Sequence, residues 1–211
     1  MDGSSNEGDP TFSEIASWRT GAPVRMSRGN VLFALTGSIS CYKACTVISR
    51  LTQAGVTVQT VASAAALRFV GAATLEALSG RPVFSDMWCA GRALDHIELA
   101  RAADLAIVCP ATANTINRLA AGLADDPLGA LFLAWEFPRK PWWLAPAMNQ
   151  QMWAHPATQR SLAQLQAQGV TLLEPGEGIQ ACGEIGPGRL AEPETVAARI
   201  LAALAARPVG H

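Results

Sequence analysis

Short apolar runs alternate along this chain with longer stretches that carry apolar residues at helical spacing. Val31-Leu32-Phe33-Ala34-Leu35-Thr36 reads as a buried strand ended by Gly37, and residues 40–53 suit a helix closing before Gly55. Val56–Ala62 alternates β-branched residues with others and reads as the next strand. Ala64–Leu78 is helical in pattern, with Gly71 as the point where it splits if it splits at all. Leu105–Cys109, bounded by Asp104 and Pro110, is another apolar strand. Helices follow over Ala113–Leu123 and Pro127–Trp135, then a strand over Pro141–Ala145, a helix over Pro156–Gln168 and a strand over Val170–Leu173. The glycine-rich stretch Gly176–Leu190 reads as a loop leading to a terminal helix from Pro193 to Ala206. This alternation predicts an α/β fold in which a parallel sheet carries helices on both faces.

Composition narrows the picture. At 211 residues, with 50% hydrophobic and 16% charged residues, the chain fits one domain with a substantial core. Residues 1–29 lack periodicity and read as a flexible tail, leaving 30–207 as the domain. A net charge of -1 offers no electrostatic reason to expect nucleic acid or an anionic membrane. No apolar run is long enough to span a bilayer, and the start lacks the pattern of a secretory signal. The five cysteines, Cys41, Cys45, Cys89, Cys109 and Cys182, are odd in number and have no framework spacing, which favours reduced thiols and a cytoplasmic protein. Cys41 and Cys45 lie one helical turn apart, but two ligands make no tetrahedral metal site, so they read as buried thiols and no metal is expected.

Ligands of parallel sheets bind beyond the carboxyl ends of the strands. The Gly37 turn, the Pro110 turn, the Pro146 turn and the Gly176–Leu190 loop all follow predicted strands, so they should gather on one edge. Gly37 opens a helix, where a phosphate meets free backbone N–H groups. The dinucleotide pattern G-x-G-x-x-G is absent, and the second strand ends at Ala62-Ser63 without the acid that holds an adenosine ribose; both count against NAD. Hydroxyls stand at the strand ends instead, namely Ser38, Ser40, Ser63, Thr112 and Thr115. They suit one phosphate and a polar ring edge, as in FMN, although Ser38 and Ser40 would equally serve as helix caps.

The run Pro146-Ala147-Met148-Asn149-Gln150-Gln151-Met152-Trp153 sets an amide among large, soft apolar groups. If it turns helical after Pro146, Met148 and Met152 share one face. Alternatively Asn149 is an N-cap and the neighbouring side chains are core. Together with Gly37-Ser38-Ile39-Ser40, Pro110-Ala111-Thr112-Ala113-Asn114-Thr115 and Ala181-Cys182-Gly183-Glu184-Ile185-Gly186-Pro187-Gly188-Arg189-Leu190, this run resembles the flavin-dependent cysteine decarboxylases. Within that family it is most similar to the phosphopantothenoylcysteine decarboxylases of coenzyme A biosynthesis. The resemblance extends from about Val31 to about Val196 and implies a three-layer, Rossmann-like (flavodoxin-like) fold.

By this resemblance Gly37, Ser38, Ile39, Ser63, Phe69, Pro110, Thr112, Asn114 and Thr115 hold FMN, with Phe69 near the ring. Asn114, Ala147, Met148, Asn149, Met152 and Gly183 meet the substrate, the Asn149 amide hydrogen-bonding the substrate's carboxylate. Ser40 and Thr112 stand where many members carry alanine and serine, and Leu190 where methionine is common; these are small changes. His96, in Asp95-His96-Ile97-Glu98-Leu99, matches the catalytic histidine, and an imidazole can accept a thiol proton around neutrality. His155 competes for that role but falls outside the matched positions. Cys182 matches a cysteine that helps return an enethiol to the saturated thiol, since a thiol is mostly protonated at neutral pH. Cofactors carry such hard chemistry while the protein positions the reactants.

Three functions remain in play. The first is conversion of phosphopantothenoylcysteine, a small molecule, to 4'-phosphopantetheine. The second is oxidative decarboxylation of a precursor peptide's terminal cysteine, against which Cys182 argues. The third is a non-catalytic flavin-binding regulatory protein. The family builds homotrimers, sometimes gathered into dodecamers, with flavin sites between subunits; Trp135, Trp142 and Trp143 suit either subunit contacts or core. A separate phosphopantothenoylcysteine synthetase is expected for the preceding step.

Overall fold

The computed structural model describes residues 27–89, 92, 94–179 and 185–206. Five strands form one parallel sheet: β1 (Asn30–Leu35), β2 (Thr57–Ala62), β3 (Leu105–Ala111), β4 (Trp142–Pro146) and β5 (Val170–Leu172). Their order is β2-β1-β3-β4-β5, so the chain reverses its direction of travel across the sheet between β1 and β3. This is the flavodoxin-like order, and its crevice lies where those two strands part.

Strand alternation sorts the core into two layers. Val31, Phe33 and Leu35 of β1, with Leu105, Ile107 and Cys109 of β3, pack beneath helices α1 (Cys41–Gln53), α2 (Ala72–Ser79) and α8 (Pro193–Ala205). Leu32, Ala34, Ala106 and Val108 face the opposite layer. That layer comprises α3 (Asp95–Ala102), α4 (Ala113–Ala120), α5 (Pro127–Leu133) and α7 (Pro156–Ala167). β3 is buried along its whole length, as expected of a central parallel strand.

The structure decides two points left open by the sequence and adds two elements that the sequence did not show. The stretch 64–78 is not one helix: Gly71 is extended (φ -67°, ψ 151°) and separates a short 3₁₀ turn, Ala66–Arg68, from α2. Trp135, Trp142 and Trp143 are core. Trp142 is wholly buried, with the rings of Phe132 and Trp135 edge-on at 5.0 and 5.3 Å, and Trp143 lies on the other face under the Arg199 guanidinium. The Gly176–Leu190 stretch contains an antiparallel hairpin, β6 (Gly176–Ile179) paired with β7 (Ile185–Arg189). Its glycines and Pro187 hid the strand pattern. The helix α3 that carries His96 also went unassigned from sequence.

Candidate functional site

The carboxyl end of β1 is tied to that of β3 by a side chain the sequence reading passed over. The Thr36 hydroxyl is buried; it donates to the Pro110 carbonyl at 2.6 Å and accepts the Thr112 N–H at 3.1 Å. Beside it, Gly37 turns the chain into α1. A Cβ on Gly37 would come within 2.6 Å of the Ala65 Cβ, so only glycine lets this turn and the segment after β2 touch. That segment is fixed in turn: the Ser63 N–H donates to the Leu35 carbonyl, and its hydroxyl accepts the Ala66 N–H.

Around this junction lies a cleft of about 330 Å³, the size of a small-molecule pocket. Gly37, Ser38, Ser63, Thr112, Asn114 and Thr115 line one side, and Ala147, Met148 and Met152 the other. Thr112 caps α4 by accepting the Thr115 N–H, and its hydroxyl also meets that of Thr115 at 3.1 Å. Ser40 stands at the N-cap position of α1 but makes no side-chain cap, and Ser38 accepts only the Ser40 N–H at 3.2 Å among the bonds described. Neither hydroxyl of this turn is therefore spent on capping α1.

Asp126 also lines the cleft, and the sequence reading missed it. It caps α5 by accepting the Gly129 N–H at 2.7 Å. The Asp-Pro pair at 126–127 was the available signal, because aspartate favours the N-cap and proline the first helical turn.

The Pro146 turn follows the second expectation, with Asn149 as an N-cap. Met148 lies ahead of the helix, because Asn149 has extended backbone (φ -72°, ψ 164°) and caps the short α6 (Gln150–Ala154). Its Oδ1 accepts the Met152 N–H at 2.8 Å. Met148 and Met152 nevertheless line the same cleft, on either side of the capped turn. Asn149 is not itself a lining residue. With Oδ1 engaged, its Nδ2 is the group left to meet a ligand.

Not every expected residue lies at the cleft. Ile39 and Phe69 are exposed and do not line it, and Pro110 takes part through its carbonyl as the acceptor for Thr36. His96 lines a separate, open cavity of about 520 Å³ with Met87, Trp88, Ile97, Ala130 and Leu133. Its Nδ1 is buried without a partner among the described residues. His155 caps α7 through its own Nδ1, which accepts the Ala157 N–H, and so takes the local role. Cys182 and Gly183 lie outside the described residues.

The residues of the cleft fit a flavin mononucleotide. The first turn offers a helix N-terminus and unspent hydroxyls for one phosphate. β2 ends at Ala62 without the carboxylate that an adenosine ribose needs.

Comparison with known proteins is consistent with this geometry. The flavoprotein family model matches residues 21–205. The chain belongs to the flavoprotein family. It is 44% identical over 173 residues to the coenzyme A biosynthesis bifunctional protein CoaBC of Bacillus subtilis, an alignment covering 81% of this chain and 42% of that protein. The chain thus spans about two fifths of that relative. Among solved structures it is similar to a PPC decarboxylase, a cysteine-to-serine mutant complexed with pantothenoylaminoethenethiol. That match has a TM-score of 0.75 and 32% identity, covering 82% of this chain and 96% of that one. It is also similar to the FMN-binding protein AtHal3, with a TM-score of 0.76 and 32% identity, covering 86% and 99% respectively.

Among the described residues, no helix is long and apolar enough to cross a membrane.

Proposed function

We propose that this chain is an FMN-dependent decarboxylase that converts phosphopantothenoylcysteine to 4'-phosphopantetheine in coenzyme A biosynthesis. The observation that carries this reading is the hydroxyl-lined cleft at the β1–β3 crevice, closed on its far side by the Ala147–Met152 turn. The CoaBC relative and the PPC decarboxylase structure support the choice of substrate.

In this reading Ser38, Ser63, Thr112 and Thr115 hold the cofactor, its phosphate at the start of α1. FMN, when bound, would supply the two-electron chemistry, accepting electrons from the carbon bearing sulfur so that the carboxylate can leave and returning them when the enethiol is saturated. The chain's own groups bind and move protons around that event. The Asn149 Nδ2 donates to the substrate carboxylate; as a neutral donor it orients the group without strongly opposing its loss. Met148 and Met152 keep water from it. A ring nitrogen of His96 takes the substrate thiol proton. The Cys182 thiol supplies a proton as the enethiol is saturated.

The reading includes assembly. His96 opens into a cavity apart from the cleft, on a face where Trp88 is 85% exposed and Leu133 59%. Apolar exposure of that size suits a contact between copies. In a homotrimer, or a dodecamer built of trimers, the His96 face of one copy would complete the cleft of the next. The thiols that are free among the described residues, Cys41, Cys45, Cys89 and Cys109, suit a cytoplasmic enzyme.

Carbon dioxide release tests the proposal. FMN-loaded protein given phosphopantothenoylcysteine should yield carbon dioxide and the saturated thiol. No release would overturn the reading; release from a cysteine-ended peptide alone, with an enethiol product, would move the chain to the peptide-modifying class.

A further inference from the structure

The segment from Ala147 to Ala154 is held by more than burial. Ala147 is core and Met148 and Trp153 are partly buried against it, but helix α6 has no fully buried residue. At its entry, the Ala147 N–H donates to the Ala111 carbonyl at 3.0 Å, which registers the turn on β3. One residue on, the Met148 N–H donates to the Gly188 carbonyl of β7 at 2.9 Å.

Gly188 has φ +118°, a conformation that side chains rarely adopt, and its Cα lies so close to the Met148 carbonyl that an added Cβ would overlap that oxygen. Two residues earlier, an added Cβ on Gly186 would overlap the Gln150 side chain. Two bare glycine positions of β7 therefore seat the turn that carries Asn149, Gly188 against the Met148 backbone and Gly186 against the Gln150 side chain.

We propose that Gly188 is a positioning residue for Asn149. Its carbonyl and its missing side chain fix the Met148 backbone, which sets the cap at Asn149 and so the direction of the Asn149 Nδ2. The hairpin arm and the turn form one body. The kinetic consequence rests on the proposed decarboxylase reading, but the mechanical claim does not.

Hydrogen exchange separates the two. In Gly188→Ala, the amides of Met148 and Met152 should exchange faster together, while those of Gly37–Cys41 and Thr112–Ile116 stay as in the parent. Flavin should be retained while kcat/KM for phosphopantothenoylcysteine falls about 10²-fold, the scale of a misplaced contact. Gly178→Ala is the control. Gly178 also has a left-handed φ (+144°), but an added Cβ there meets only the Arg189 side chain. A role confined to hairpin folding would make both variants alike.

Unchanged exchange at Met148 and Met152 in Gly188→Ala, or equal change in Gly178→Ala, overturns the proposal. Should Gly188→Ala fail to fold, Gly186→Ala tests the same contact between hairpin and turn. It should loosen the turn, and Gln150→Ala added to it should restore the slow exchange; no restoration overturns the proposal. Parent protein that releases no carbon dioxide while the exchange pattern holds would refute the function and leave the latch standing.

Discussion

The cleft at the carboxyl edge of the sheet and the cavity around His96 differ in what holds them. The cleft is made by strand ends. Thr36 binds the end of β1 to that of β3, Gly37 meets Ala65, and Thr112 and Asp126 cap the helices that leave it. The His96 cavity lies between α3, α5 and the segment before α3, with apolar side chains turned to solvent. Topology alone assembles the first, within one chain. The second has chemistry, an imidazole, but an unfinished wall. The difference teaches that strand ends can close a cleft within one copy, whereas in the proposed reading the imidazole stands on an exposed face that a second copy would complete.

The sharpest way to break this comparison is His96→Asn. Turnover should fall by about 10² to 10⁴, the usual worth of general acid–base catalysis, with flavin absorbance unchanged because His96 does not line the cleft. Loss of flavin along with turnover would mean that the two cavities are not independent. Trp88→Ser combined with Leu133→Ser probes the unfinished wall. Unfolding in denaturant should shift by only about 0.5 kcal/mol, as for other surface changes, while sedimentation shows smaller assemblies and turnover falls. Intact assemblies would contradict the assignment of that face.

Thr36→Val acts on the other side of the comparison. It removes two hydrogen bonds, each worth about 1 kcal/mol, and should weaken flavin binding by roughly tenfold, measured by equilibrium titration, without altering assembly. The smallest effect concerns the thiols behind the cleft. Burial pushes Cys41, Cys45 and Cys109 above their ordinary value of 9.0. Their stabilising contribution is therefore complete below pH 9 and is lost as pH rises further, because the unfolded thiols ionise first. Stability measured from pH 8 to 10.5 should decline at the upper end, less steeply in Cys109→Ala.

Much of the architecture was legible because central parallel strands are apolar throughout. Val31–Leu35 and Leu105–Cys109 announce themselves, and the glycines and prolines after them mark the turns that line the cleft. The hairpin at 176–189 was not legible, since its strands are short and built around glycine. Thr36 was read as the last residue of a strand, although a hydroxyl ending an apolar run must find partners when buried. Asn149 was read both as cap and as ligand. The cap is observed, and it leaves the amide nitrogen for the other role. His96 was assigned by likeness to a motif, which carries no information about which cavity a side chain enters.

Subunit mixing tests most directly whether one site is made from two copies. His96→Asn and Asn149→Ala protein, each inactive alone, should regain a fraction of parental carbon dioxide release when co-expressed or exchanged into mixed assemblies. Mixed assemblies as inactive as either variant alone would show that both residues act within one chain, and would contradict the account.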